Sequence, residues 1–577
     1  MVAFTTAAIV LCPEIPEAGL NQSMHNPSIT LDVNDIYRSP GVAGSEITPQ
    51  ITRSLIADAI KRLHAPGVNR VFQGDDTESF PQMPRLDILK ANKTQFWQFG
   101  AIYEDEGTIQ GTYGVHQSIF LDQLRLQSPE NPNDITAQDD FRERLWLVHG
   151  DQLTAHHIRS VKAEQSRARR PYDKRDWLLG LPAWFHIQMN LLNTIVRTHW
   201  DSPFYGKRLE AHHCIQADII MWGRTQCSRD KAQYHLLEPV VAQGFTARVA
   251  ALFYATMQRR GYVPDSFVFD GVDAVSTLIA VLTPVQFIEL IEDVRVTAFT
   301  AQAWDGNVDG KPHGDIEFRT MCRFLQETEL FLTVRHAVKR ADIGLLQYLV
   351  DPLTVLFFGA AQRNYGYEML HYRWNLSPVN DIALQRSILA SGLVNWQGRP
   401  STHKPIDLSL EHLNHFCKVE IKCYKNSTHD NDIIFNRICL SNTWIRSLRA
   451  KMEDWFGEDM PGTHTTANVV ADMFLLASNL LKGGLAVPRN TTQLASFVGF
   501  YDSPDIMRDG MENLAKKVAI FNADRPGVVS ISVPRANEDI DIEVGRELEG
   551  ACLDISGMED THLNIAEDPT VMVQVEV

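Results

Sequence analysis

Beyond about residue 200 the chain repeats one pattern: apolar residues return every three to four positions, with polar residues between them. "PVVAQGFTARVAALFYATMQRRG", "DAVSTLIAVLTPVQFIELIEDV", "MCRFLQETELFLTVRHAVKRADIGLLQYLV", "LSLEHLNHFCKVEIKCY" and "TANVVADMFLLASNLLK" all carry it. That period gathers apolar side chains on one helical face, so the stretch reads as a helical body. Before residue 200 the pattern differs. "PQITRSLIADAIKRLH" predicts one helix with Ile51, Leu55, Ile56, Ile60 and Leu63 inward, while its surroundings are rich in Pro, Gly, Ser and Asn. "FWQFGAIYEDEGTIQGTYGVHQSIF" (96–120) mixes aromatic and β-branched residues with Gly, a strand-and-turn signature.

Two short apolar runs interrupt this. "RLWLVHG" (144–150) ends at Gly150-Asp151 and leads into a helical pattern. "DWLLGLPAWFHIQMNLLNTIVRTHW" (176–200) reads as a buried strand feeding an apolar helix. The expected organisation is an irregular region with one helix (1–95), an α/β core segment (96–200) and a helical insertion (201–345). A helical carboxyl-terminal part (346–500) and an acidic, partly disordered tail (501–577) follow. No internal repeat of fixed period is found.

Composition adds bounds. With 577 residues, 44% hydrophobic and 22% charged, the chain has the make-up of a folded soluble protein with a large core. No apolar run approaches about 18 residues, so no membrane span is expected. The first residues lack a basic group ahead of their apolar stretch and make a poor secretory signal, so the expected location is intracellular, nucleus or cytoplasm. Eight scattered cysteines with no CxxC argue against a disulfide scaffold or zinc ribbon. The net charge of −17 is uneven: Glu538 to Glu576 holds twelve acids against one arginine. The remainder is close to neutral for its size, which neither excludes nor supports a nucleic-acid partner.

Candidate chemistry begins at Asp151. An acid at the carboxyl end of a strand can hold Mg²⁺, whose preference is for hard oxygen ligands; it can equally cap the helix that follows. Gln152 stands beside it. That helix opens a cationic stretch, Arg159, Lys162, Arg167 and Arg170, extended by Arg169, Lys174 and Arg175. Phosphate contact is one reading and a solvated face with internal ion pairs the other. His186 and Asn190 share a helical face in "PAWFHIQMN". There the histidine can orient a carboxylate or touch a phosphate, or it is a hydrogen-bonded core residue. Glu368, with Asn364 and His371 or Tyr372 on one side of a helix, reads as a surface residue unless its neighbours change that. "DGNVDGKPHGDIE" (305–317) starts like a calcium loop, but its twelfth position is Ile316 and a polar turn fits better. Phosphate-loop, GxSxG, HExxH and GxGxxG patterns are absent from the sequence.

"GDQLTAHHIRSVKAEQ", "LPAWFHIQMNLLNTIVRTHW", "AVKRADIGLL", "NYGYEML" and "VNWQGRPSTHKPIDLSLEHLN", in that order, resemble a large family of uncharacterised proteins abundant in mushroom-forming fungi, domain-of-unknown-function family 6589. The layout is also similar to the ribonuclease-H-like core of DDE transposases. That resemblance implies an α/β core with a mixed sheet lacking its first strand, a large helical insertion, and a predominantly helical whole. It further implies three carboxylates holding two Mg²⁺ ions about 4 Å apart across a phosphodiester in DNA. On this reading Asp151 and Glu368 are catalytic metal ligands, His186 is a catalytic neighbour, and Gln152, Asn190 and Asn364 support them. The implied first carboxylate belongs to an Asp-Asn motif upstream of "FTTAAIVLCPEIP", which this chain does not carry. The expectation is therefore a degenerate, inactive site, unless Glu104 or Asp105 in "YEDEGT" completes a metal-dependent nuclease. The alternative is a non-catalytic helical scaffold that binds a protein partner.

Overall fold

The computed structural model describes residues 5–524 except 6, 38–45, 127–138, 201–213, 225, 230–232, 265, 301–306, 309–310, 313–314, 413–468 and 489–502. Strand β1 (Ala8–Leu11) pairs antiparallel with β2 (Gln95–Gln98), and the excursion between them carries α1 (Ile47–Val71). α1 buries Ile51, Ile56, Ile60 and Leu63 as its periodicity requires. It bends at His64 (φ −126°, ψ 41°) because Pro66 supplies no amide hydrogen and its ring displaces the carbonyl of the preceding turn.

The bend puts the His64 ring in the core. Its Nδ1 lies 2.9 Å from Ser276 Oγ, and its Nε2 meets the Tyr254 hydroxyl. Ser276 Oγ donates to the Val272 carbonyl, so the imidazole donates from Nδ1 and accepts the tyrosine proton at Nε2. Burial pushes His64 down to about 4, which keeps the ring neutral as this chain of bonds needs.

The segment after β2 departs from the strand-and-turn expectation. It forms α2 (Ile109–Gln117), which runs into a π turn at Ser118–Gln123. Thr108 caps it by accepting the Gly111 amide hydrogen. Gly111 is required: a Cβ there would lie 1.8 Å from the Asp105 carbonyl oxygen, so the helix can press against the 104–107 turn only without one. The Gly punctuation marked close helix packing rather than strand ends.

The α/β unit forms as read. β3 (Trp146–Gly150) and β4 (Leu178–Pro182) are parallel, from Trp146 opposite Leu178 to Gly150 opposite Pro182. Helix α3 (Gln152–Glu164) makes the crossover, and Gly180 lets it approach β4, since a Cβ there would sit 3.1 Å from Ile158. α4 (Trp184–Thr198) follows and is buried along nearly its whole length. A ribonuclease-H-like mixed sheet is not confirmed. The described residues carry four separate two-stranded sheets, of which β3–β4 is the parallel one.

The rest is helical, and the described structure is predominantly so. α5 (Tyr234–Arg259) is buried without a break from Val240 to Met257 and packs against α1 and α4. By length and composition it could cross a membrane, yet 83% of its apolar window is buried as the central core helix. Around it stand α6 (Val272–Ile279), α7 (Pro284–Ala298, with a Thr283–Gln286 capping box) and α8 (Ile316–Arg340). A small β5–β6 hairpin (Asn307–Val308 with Lys311–Pro312) precedes α8. α9 (Ile343–Gly359), α10 (Arg363–Asn375) and α11 (Ile382–Ser391) continue to the β7–β8 pair (Leu393–Val394 with Lys404–Pro405).

A helix at 406–412, here α12, comes next, then α13 (Val470–Lys482) and α14 (Ile506–Ala523). α14 lies in the stretch expected as tail, but it docks on α9. Gly359 and Gly510 make the approach possible, because a Cβ on either would strike a backbone carbonyl of the other helix at 1.6 or 2.0 Å. Residues 525–577 lie outside the described residues.

Candidate functional site

Gly150 ends β3 where a Cβ would collide with the Thr154 side chain at 2.7 Å, so the chain turns directly into α3. Asp151 is the N-cap of that helix: its Oδ1 accepts the Thr154 amide hydrogen at 2.6 Å. Gln152, half-buried, opens the first turn.

Glu368 does not lie on the surface. It projects from α10, 2% exposed, and pairs with Arg159 of α3. Burial raises its pKa, the Arg159 guanidinium opposes that, and the charge of Asp151 raises it further. Two acids more than two hundred positions apart thus sit within electrostatic reach of each other. Glu368 Oε2 and Arg159 Nη1 are both buried and make no hydrogen bond.

His186 stands in the first turn of α4. The N-cap there is Ala183, which has no side chain to cap with. Asp407, from the first turn of α12, does it instead. Its Oδ1 accepts Phe185 N–H at 3.1 Å, and its Oδ2 accepts both His186 N–H at 3.0 Å and His186 Nδ1–H at 2.9 Å. Glu411, one turn along α12, brings Oε1 to 3.9 Å from His186 Nε2. Burial alone would depress this histidine. The hydrogen bond and charge of Asp407, with Asp151 and Glu411 behind it, reverse that and push it up to about 9, so the ring is cationic at neutral pH. Asn190 Nδ2 donates to the His186 carbonyl, and Asn364 lies half-buried in the first turn of α10. His149, near the end of β3, meets Ser391 Oγ at 2.8 Å and is pushed down to about 4 by burial.

The cationic stretch divides. Arg159 is taken by Glu368, and Lys162 Nζ donates to the Leu178 carbonyl at the start of β4, where burial brings it down to about 8. Arg167 and Arg170 lie beyond the end of α3 rather than on its face. Arg167 and Arg169 are exposed, and Arg170 pairs with Asp173 at 2.6 Å. The turn at 104–107 is self-contained: Asp105 Oδ1 accepts its own Gly107 amide, while the Glu106 carbonyl binds His157 of α3. In the 305–317 stretch Asp315 caps α8 by accepting the Phe318 amide, and Asp305 and Asp309 lie outside the described residues.

Residues 31–464 match the model of a family described as "Family of unknown function (DUF6589)". The chain belongs to that family. Asp151, Arg159, His186, Glu368, Asp407 and Glu411 all fall within the matched span. No curated protein and no solved structure matches the chain.

The donor set does not fit Mg²⁺. Among the described residues no group of three His, Cys, Asp or Glu is placed to hold a metal. Of the two expected ligands, Glu368 already holds a guanidinium, and Asp151 spends one oxygen on its helix cap. The cation at this position is part of the protein. Asp407 and Glu411 were not singled out from the sequence, although both stand in "KPIDLSLEHLN". Two acids four residues apart behind a Pro at a helix start form a double-acid face, and that pattern was the available signal.

Proposed function

We propose that the β3–α3–β4 unit descends from a phosphodiester-cleaving core of the ribonuclease-H-like kind. In this chain the place of the metal ions is held by Arg159 and His186, leaving a nucleic-acid-binding protein rather than a nuclease. One observation supports this reading above the others. A buried glutamate from a late helix meets the acid at the carboxyl end of β3, the corner where α/β units assemble sites, and the charge between them is supplied internally. Arg167, Arg169 and Arg170, exposed at the end of the crossover, are the surface for DNA phosphates.

The test has two arms. Supercoiled DNA incubated with the protein and Mg²⁺ should stay intact. Binding to a labelled duplex should weaken steeply with salt, and more so when Arg167, Arg169 and Arg170 are changed to Ala, each lost phosphate contact reducing the salt slope by about 1. Mg²⁺-dependent nicking abolished by Asp151→Asn would refute the non-cleaving reading. Salt-independent binding, or none, would favour a helical scaffold for a protein partner. The inward use of Arg159 and Lys162 speaks for that second reading, since both are spent within the fold.

A further inference from the structure

We infer that α12 is an electrostatic latch closed over the first turn of α4 and released when His186 loses its proton. The geometry carries this. Asp407 is the hydrogen-bond acceptor for Phe185 N–H and His186 N–H, and Ala183 offers no local replacement, so the start of α4 depends on a side chain 221 positions away. The same carboxylate holds the imidazole, which makes its grip on the helix and its grip on the charge one contact. Glu411 extends the acidic face of α12 along the other side of the ring.

The groups facing His186 are Asp407 and Glu411 from α12 and Asp151 from the β3–α3 corner, all acidic. His149 of β3 and Tyr372 of α10 face Asp407 in turn, both pushed by burial toward their neutral forms. With the ring protonated, one cation answers three acids. Without that proton, the three acids crowd a neutral ring and only the two backbone amides remain to hold α12. A histidine whose folded value lies above its free value contributes stabilisation that is complete below about 6.5 and lost as pH rises through about 9. Opening would expose the first turn of α4 and uncover Asp151. This inference does not rest on the nucleic-acid reading, since it concerns the protein alone.

Pulsed hydrogen exchange on the full chain, corrected for intrinsic pH dependence, tests it. Segments 183–187 and 402–412 should lose protection together between pH 7 and 10, by up to the order of a hundredfold, while 240–257 in α5 stays unchanged. His186→Gln keeps a donor but cannot titrate, so the two segments should lose their pH dependence. Asp407→Asn should open both at neutral pH. The latch is overturned if α5 deprotects in parallel, if His186→Gln retains the wild-type pH profile, or if both segments stay closed in Asp407→Asn.

Discussion

In the helical core, Asp218 and Arg248 are buried together, 1% and 0% exposed, and close on each other with two hydrogen bonds of 2.7 and 3.2 Å. The His64 ring beside α5 is equally complete, with a donor and an acceptor for its two nitrogens. At the carboxyl ends of β3 and β4 the balance differs. Four acids, Asp151, Glu368, Asp407 and Glu411, share two cations, Arg159 and His186, and Glu368 keeps one oxygen without a hydrogen bond. Closed one-to-one pairs fix helices to one another. An unequal cluster leaves charge that answers to pH or to an added group, and that is why the junction rather than the core is the candidate site.

The largest expected effect breaks the core side of this contrast. Arg248→Ala strands a buried carboxylate and should cost about 3–5 kcal/mol, read by denaturant unfolding. It should leave exchange at 183–187 unchanged relative to the global signal.

Glu329 sharpens the contrast from within the core. It is buried against Thr52, and burial raises it to about 7. Because the folded value exceeds the unfolded one, its protonated form stabilises the fold below about 4.5, and that contribution is lost as pH rises to about 7. Glu329→Gln should remove roughly 3 kcal/mol of stability loss between those limits.

At the junction, a double-mutant cycle on Arg159→Leu and Glu368→Gln should give a coupling of about 1–2 kcal/mol. That is smaller than in the core because Arg159 is partly exposed. Smallest of all, Arg508→Ala breaks an exposed pair with Glu512 one turn away and should change stability by less than about 0.5 kcal/mol.

Much of the fold was legible where period and punctuation agreed. The inner face of α1, the strand ending at Gly150 and the strand feeding α4 follow from residue spacing alone. The sequence misled at 96–120, where Gly111 answers a contact with the Asp105 carbonyl, and at 506–523, where the helix is held by a glycine contact to Gly359 rather than by local pattern. The site was half legible. Asp151 and Glu368 do come within reach of each other, but no single-sequence signal showed that Arg159 would turn inward to Glu368. Nor could the missing cap at Ala183 reveal which distant acid replaces it. Both depend on partners more than two hundred residues away.

The central claim is that protein cations occupy the position between Asp151 and Glu368. Calorimetric titration of Mn²⁺ and Mg²⁺ into the intact protein tests it most directly. The expected result is no saturable heat and no change on Asp151→Asn. Stoichiometric binding lost in both Asp151→Asn and Glu368→Gln would contradict it.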